Sequence, residues 1–578
     1  MENLKYADIL QLNKVMRNNI KGNPYRITFL SNITITSVKE ILEYVLRINK
    51  INPIVEFGNY DNIVQDSSKC NESNLVIIFY NLRTVVESLN CFFEDISEQM
   101  YNDLKNRILS ELDIIFNNLE NTPSVIFNLF SLLDITSSNL RKSKIEFLVS
   151  TLNEYVSEKK TLNFNLVNTD KIISQNGITY SIDNRLFFSS KALFTLTFFK
   201  SYVSVIEPVI LRNTGRLKKA IIFDCDNTLW KGILGEDGFE KIDMSRTSNT
   251  GRIFNSIQFI AAYLNKRGVI IGLCSKNNES DVSEVLMNHP DMILKDNFIT
   301  IKKINWSDKV SNLKEIASDL NIGLDSLVFV DDSKFEINLI NEQLPDVITL
   351  QVPVNLYEYP DHLLKLVYKY FNFSGINEDA QKTEIYKQQF FRESEKKKYN
   401  TIEEFLASLK ISVSISINNE NLIPRIAQLT QKTNQFNLTT KRYTENQILT
   451  FMKSSCDQVF ALSVKDKFGD SGLTGVCILC TNRNDKSNVI IDTFLMSCRI
   501  IGRNIEYAFF DRIVKWLNNN QFLSISSEFI PTKKNEQVEH FYEGLGFKSL
   551  GNNIDSKKYL ISVQDYKMKS IEYITVEE

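Results

Sequence analysis

Short apolar runs separated by longer amphipathic stretches dominate the first two-thirds of the chain. From residue 26, "RITFLSNITI", "NPIVEFG" and "NLVIIFYNL" read as buried strands, and the intervals between them carry apolar residues at helical spacing. Such alternation predicts a parallel-sheet α/β domain running to about Arg216. In a second α/β unit "KKAIIFD", "VIIGLCS" and "LVFVDD" are strands. Ile253, Ile257, Ile260 and Leu264 fall on one helix face, and residues 281–287 start another helix. This predicts a doubly wound sheet, whose ligands bind at the carboxyl ends of its strands. Residues 376–399 are charged and helix-prone and predict a linker. Beyond it "QVFALSV", "GLTGVCILC" and "VIIDTFLMS" predict consecutive antiparallel strands. A helix from about Ile505 to Asn518, the strand "SISSEFI", a helix around Glu539 and "FYEGLGF" complete the chain. The expected architecture is α/β multidomain, divided as 1–215, 216–375 and 376–578.

Composition narrows the classes. A chain of 578 residues exceeds one hydrophobic core. With 43% apolar and 24% charged residues it is ordinary globular protein, and a net charge of −3 supplies no basic field for nucleic acid. The eight cysteines show no zinc-type pairing; Cys477 and Cys480 form a CxxC inside an alternating apolar strand. Free thiols point to a reducing compartment. "MENLKYADIL" lacks the pattern of a signal peptide, and the most apolar stretch, 190–211, is interrupted by Lys200, Glu207 and Pro208. A cytoplasmic enzyme without membrane or nucleic-acid partners is expected.

Three polar clusters sit at predicted strand ends of the second unit: Asp224 with Asp226, Ser275, and Asp331 with Asp332. Two carboxylates two residues apart on a strand face one side. Such a pair can hold Mg²⁺, or one carboxylate can attack phosphorus while its neighbour moves the proton. The charge that develops then needs a hydroxyl, a lysine and the metal nearby. "DCDNTLW" resembles the first motif of the haloacid dehalogenase superfamily. The resemblance implies Asp224 as nucleophile, Asp226 as acid/base, Thr228 steadying the loop, Ser275 as the phosphate-binding hydroxyl, Lys309 as the motif lysine, with Lys302 and Lys303 as rivals, and Asp331 and Asp332 completing the metal site. The interval 227–274 has room for a loop and one helix, hence a minimal cap and a site open to a bulky or protein-tethered substrate.

"DCDNTLWKGILGEDG", "GLCSKNNESDV", "NIGLDSLVFVDDSKFE", "LTQKTNQFNLTTKRYT", "DKFGDSGLTGV" and "MSCRIIGR" together resemble the FkbH-like family over roughly Lys218 to Phe547. That resemblance implies a phosphatase and glyceryl transferase. It would take 1,3-bisphosphoglycerate, a small phosphorylated three-carbon donor, and pass glyceryl as a thioester to the phosphopantetheine arm of an acyl carrier protein in polyketide and related pathways. It also implies an SGNH-hydrolase-like amino-terminal domain. All three histidines, His289, His362 and His540, lie beyond residue 215, so serine–histidine hydrolysis is excluded there and docking or scaffolding is expected.

The third domain resembles an N-acetyltransferase-like (GNAT) fold. In "RIIGRN", Arg499, Gly502 and Arg503 match its pyrophosphate loop, and Asn535 and Tyr542 match its closing motif. Asn504 stands where Gly or Ala is usual, which counts against coenzyme A; a phosphopantetheine arm in the same groove, or a lapsed acyl-CoA fold kept for packing, are the alternatives. Acyl transfer can be direct or pass through a cysteine. Cys225 points away from its flanking aspartates and reads as a buried residue behind the site. Cys498 is the better-placed relay, before a helix N-terminus and beside Arg499 and Arg503, influences that favour a thiolate. Cys274 reads as core, and Lys441 and Arg442 as solvated surface. A plain phosphatase with a third domain that only binds is the runner-up. An acyltransferase or assembly protein with a phosphate-sensing module is the third reading.

Overall fold

The computed structural model describes residues 4–18, 20, 22–85, 93, 96–133, 143–161, 163–371, 392, 395, 398–481, 487–532, 534–552 and 556–577. The linker expected at 376–399 lies outside the described residues except at 392, 395 and 398–399. The chain forms two compact units, Met1–Thr214 with Arg442–Thr450, and Gly215–Lys441 with Phe451–Glu578. No helix among the described residues is long and apolar enough to cross a membrane.

In the first unit, β1 (Tyr25–Ser31), β2 (Pro53–Phe57), β3 (Leu75–Phe79), β4 (Val125–Asn128) and β5 (Phe164–Val167) form a parallel sheet in the order β2-β1-β3-β4-β5. The "LVIIF" of β3 is buried throughout, as in a central strand covered on both faces. The sequence pattern shows β1 to β3; the four-residue β4 and β5 are too short to stand out. Ser31, at the carboxyl end of β1, donates its hydroxyl to the Ile33 carbonyl at 2.8 Å.

In the second unit β6 (Ala220–Phe223), β7 (Ile270–Ser275), β8 (Ile301–Ile304), β9 (Leu327–Asp331) and β10 (Ile348–Gln351) form a second parallel sheet, ordered β10-β9-β6-β7-β8. Residues of β6 alternate between two cores. Ile221 and Phe223 pack with Ile257, Leu264 and Val285; Ala220 and Ile222 pack with Leu313, Ile316 and Ile340. Each such fully buried aliphatic or aromatic side chain contributes about 1.5–3 kcal/mol. Gly272 in β7 is there for space, since a Cβ would stand 2.6 Å from Ile222 Cδ1 and 2.9 Å from Ile301 Cγ2. The edge strand β8, "IKKI", escapes the apolar pattern because Lys302 and Lys303 lie on it. They pair with Asp296 and with Glu315 and Asp319 at 2.6 to 2.9 Å.

The remaining strands are β11 (Ile411–Ile417), β12 (Phe436–Asn437), β13 (Asp457–Asp466), β14 (Gly469–Thr481), β15 (Asn488–Met496), β16 (Ser524–Phe529), β17 (Lys548–Asn552), β18 (Lys557–Ser562) and β19 (Ile574–Glu577). They run β17-β18-β16-β15-β14-β13-β11-β19, with β12 on β15. The meander β13-β14-β15 is antiparallel, and β15 and β16 are a parallel pair joined by the helix Ile505–Asn519. This order, with helices between β11 and β13, fits the arrangement expected for the third domain. The helix expected around Glu539 is a 3₁₀ turn, Glu536–Val538, followed by the short helix Phe541–Gly544.

Candidate active site

β6, β7 and β9 are neighbours pointing one way, so Asp224, Ser275 and Asp331 meet at the carboxyl edge of their sheet. Asp308 caps the helix Lys309–Asp319 by accepting the Ser311 N–H at 2.8 Å, which sets Lys309 in the first turn. Lys309 Nζ reaches Asp331 Oδ2 at 2.6 Å and Asp224 Oδ1 at 3.0 Å, and all three side chains are buried. Lys302 and Lys303, paired elsewhere, are no rivals. Asp331 Oδ1 accepts the Ser333 N–H at 2.8 Å. Carboxylate oxygens of Asp224, Asp331 and Asp332 lie within 4.8 Å of one another.

Burial pushes the Asp224 carboxyl up to about 6; Lys309 pulls the other way and Asp331 adds to the rise. Asp331 and Asp332 are raised as well, chiefly by burial. For Lys309 burial favours the neutral amine, but Asp224 and Asp331 outweigh it and hold the ammonium above its usual range. Three carboxylates facing one ammonium leave two negative charges over when ionised. That surplus suits a divalent cation taking carboxylate, water and phosphate oxygens.

Asp226, also expected as a side-chain metal ligand, is not one of the three carboxylates in this group, and its oxygens are met by other donors. The chain leaves β6 at Phe223 and turns at Asn227, which adopts a left-handed φ of 50°, so strand alternation no longer governs Asp226. Its Oδ1 accepts the Trp230 indole N–H at 3.0 Å and the Leu234 N–H at 3.0 Å. Its Oδ2 accepts from Asn277 Nδ2 at 3.0 Å, and the same amide lies 3.1 Å from Ser275 Oγ. Asn277 and Trp230 went unnoticed in the sequence, where their only signal is closeness to the two motifs. Thr228 is fully buried and its carbonyl accepts from Tyr359 Oη at 3.3 Å. It supports the loop from within rather than touching a ligand.

Cys225 is fully buried in the core beside Ile221 and Phe223. Burial first, and Asp224 after it, push its thiol well above the usual range, against a role as nucleophile. Cys274 is also core, pushed up to about 12 by burial. Cys498 follows β15 in a 3₁₀ turn rather than ending the strand, and six residues separate it from Ile505, the start of the next helix. Its Sγ lies 3.9 Å from Lys219 Nζ, and its carbonyl accepts from Asn321 Nδ2 at 2.5 Å. Lys219 precedes β6 and Asn321 precedes β9. Cys498 therefore meets the β6–β10 sheet at its amino edge, where Lys219 lies five residues of extended chain, about 17 Å, before Asp224.

The expected ligand loop of the third domain is also committed elsewhere. Arg503 Nη1 lies 3.1 Å from Asp466, whose side chain is buried and which Arg392 binds with two further hydrogen bonds of 2.7 Å. Arg499 is buried and donates Nε to Ser497 Oγ at 3.1 Å. Gly502 keeps a φ of 82°, and Asn504 takes the left-handed φ of 61° that glycine would, donating its amide to Tyr573 Oη at 2.7 Å. β15 and β16 pair in parallel only over 488–491 and 524–527. Beyond that, β12 occupies the gap: Phe436 and Asn437 pair with Met496 and Leu495, and Ile530 N–H donates to the Leu438 carbonyl at 2.8 Å. Asn535, expected to touch a cofactor, instead holds this segment by donating to the Asn437 carbonyl at 2.9 Å. Tyr542 is buried to 1% beside Ser527. Lys441 pairs with Asp492 at 2.5 Å. The groove expected to take a pantetheine arm is thus filled by the chain itself.

No family model and no curated protein matches the chain. Among solved structures it is similar to the N-terminal part of the protein BF1531 from Bacteroides fragilis, which contains a phosphatase domain and is complexed with Mg. The identity is 22%, the TM-score 0.55, and the match covers 64% of this chain and all of that one. The ribosomal-protein-S18-alanine N-acetyltransferase from Escherichia coli matches 26% of the chain over 94% of its own, at 12% identity and TM-score 0.22. A spermidine/spermine N-acetyltransferase SpeG from Vibrio cholerae matches 27% over 95%, at 14% identity and TM-score 0.22. The likeness to BF1531 extends to the fold: among the described residues the chain is a multidomain α/β protein with two five-stranded parallel sheets and a nine-stranded mixed sheet.

Proposed function

We propose that the chain is a Mg²⁺-dependent phosphatase of the haloacid-dehalogenase type that also delivers an acyl group to a carrier thiol, in the manner of the FkbH-like proteins it resembles. The observation that carries this reading is the set of Asp224, Asp331 and Asp332 around Lys309, in which Asp224, Asp331 and Lys309 are buried and Asp332 is open to solvent. Asp224 attacks the phosphorus of a phosphate ester; the O–P bond to the aspartate forms, the ester P–O bond breaks, and Asp226 gives the leaving oxygen its proton. Asp226 then takes a proton from water, which releases phosphate from the aspartyl-phosphate. Lys309 and Ser275 hold the phosphoryl oxygens. Mg²⁺, held by Asp224, Asp331 and Asp332, supplies neutralisation of the transferring group when bound.

The substrate class that fits the resemblance is 1,3-bisphosphoglycerate. Its ester phosphate would be removed at Asp224. The carrier's phosphopantetheine thiolate would attack the acyl phosphate, forming C–S and releasing the second phosphate. The buried Cys225 and the placement of Cys498 favour direct transfer over a cysteine relay. The plain phosphatase stays as a second reading because β12 fills the β15–β16 groove. Intact mass spectrometry of enzyme and pantetheinylated acyl carrier protein, incubated with 1,3-bisphosphoglycerate and Mg²⁺, separates them. A glyceryl adduct on the carrier supports the transferase; phosphate release with no adduct leaves the phosphatase alone.

A further inference from the structure

Asp226 has four lone-pair sites on its two oxygens. Oδ1 has both of its sites taken, by Trp230 Nε1–H and the Leu234 N–H, while Oδ2 has one taken by Asn277. We infer that Trp230 and Asn277 are positioning residues that orient the Asp226 carboxylate and leave one site of Oδ2 to carry the proton in the proposed phosphatase reaction. The inference rests on that reading.

Each donor is itself fixed. Trp230 is fully buried in the core with Phe223, Leu229 and Ile257, so its indole cannot swing away without opening that core. Leu234 begins a short helix, and Ile233 before it donates its N–H to Asp237 Oδ2 at 2.8 Å, which holds the loop. Asn277 is buried and spans Oδ2 and Ser275 Oγ with one amide, so the acid/base oxygen and the phosphate-binding hydroxyl are held in register. A carboxylate misplaced by a fraction of an ångström protonates its leaving group poorly, and a fixed donor on each oxygen prevents that.

The step this serves is breaking the P–O bond, with the proton passing from Oδ2 to the departing oxygen. A nitrophenolate leaves without that proton, whereas the alkoxide of an aliphatic ester needs it. The test is kcat/KM, which reports events up to the aspartyl-phosphate, for wild type, Trp230→Phe and Asn277→Ala with Mg²⁺. The substrates are 3-phosphoglycerate and p-nitrophenyl phosphate. General acid catalysis is worth about 10²–10⁴-fold, so we expect each variant to lose at least about tenfold more on the aliphatic ester than on the aryl ester. Trp230→Phe keeps the apolar bulk, and Asn277→Ala lies on the loop after β7 and spares the core, so the two do not share a folding risk. Equal losses on both esters, or no loss, would overturn the inference, as would a wild type that cleaves only the aryl ester. A wild type that cleaves neither overturns the phosphatase reading itself.

Discussion

Cys498 lies against Lys219, its sulfur 3.9 Å from the ammonium, at the amino edge of the sheet whose carboxyl edge holds Asp224. A glyceryl group carried on this sulfur would have to cross the thickness of the domain to meet the phosphate site. Cys498→Ala and Cys225→Ala are therefore expected to keep full transfer of glyceryl to the carrier, measured by the rate of adduct formation in intact mass spectrometry. Cys225→Ala, in a fully buried position, should cost about 1 kcal/mol of stability in chemical denaturation. Loss of transfer in Cys498→Ala with an unchanged midpoint would restore the relay.

Metal binding should be tied to pH through Asp224. Its folded-state value, pushed up to about 6, lies above the unfolded carboxylate range, so the folded protein retains the proton longer. Stability from this group is present below the unfolded value and is lost as pH rises through about 6. A divalent cation needs the ionised form and reverses that loss. The rise in Tm produced by Mg²⁺ should be full at pH 8 and mostly gone by pH 5, read by differential scanning fluorimetry. In Asp332→Asn it should require at least about tenfold more metal. A metal-induced rise that ignores pH contradicts this account.

The side chain of Asp466 is buried between Arg392 and Arg503. Asp466→Ala strands two guanidinium groups without their carboxylate, and the loss should be about 3–5 kcal/mol in urea denaturation. Arg503 would be freed without becoming a phosphate binder if the loop is structural, so coenzyme A titrated calorimetrically should give no heat in either protein.

Asn535 accepts from the Thr532 N–H at 2.7 Å and donates to the carbonyls of Asn437 and Ile530 at 2.9 and 3.0 Å. Asn535→Ala should loosen β12, costing about 2–3 kcal/mol. Hydrogen exchange should quicken at Leu438 and Ile530. Unchanged exchange there would mean that β12 holds by its strand pairing alone.

The motifs that ride on strong strands were legible. "AIIFD", "VIIGLCS" and "LVFVDD" are buried runs ending in polar residues, and parallel pairing sends those ends to one edge. What stayed hidden depends on the chain's third dimension. The edge strand "IKKI" is disguised by two lysines that pair across its surface. The loop after Asp224 departs from strand geometry, so alternation grouped Asp226 with Asp224, whereas Trp230 and Asn277 hold it by hydrogen bonds of their own. Arg503 and Asn535 match a ligand motif by spacing, yet Asp466 and Asn437, distant in sequence, claim them.

The most direct test of the central claim is rapid-quench peptide mass spectrometry of the enzyme turning over 3-phosphoglycerate with Mg²⁺. The account predicts one added phosphoryl group on the peptide containing Asp224, and none in Asp224→Asn, whose phosphate release should fall at least about 10³-fold. Phosphate release that persists in Asp224→Asn, or a phosphoryl group found on another residue, would contradict it.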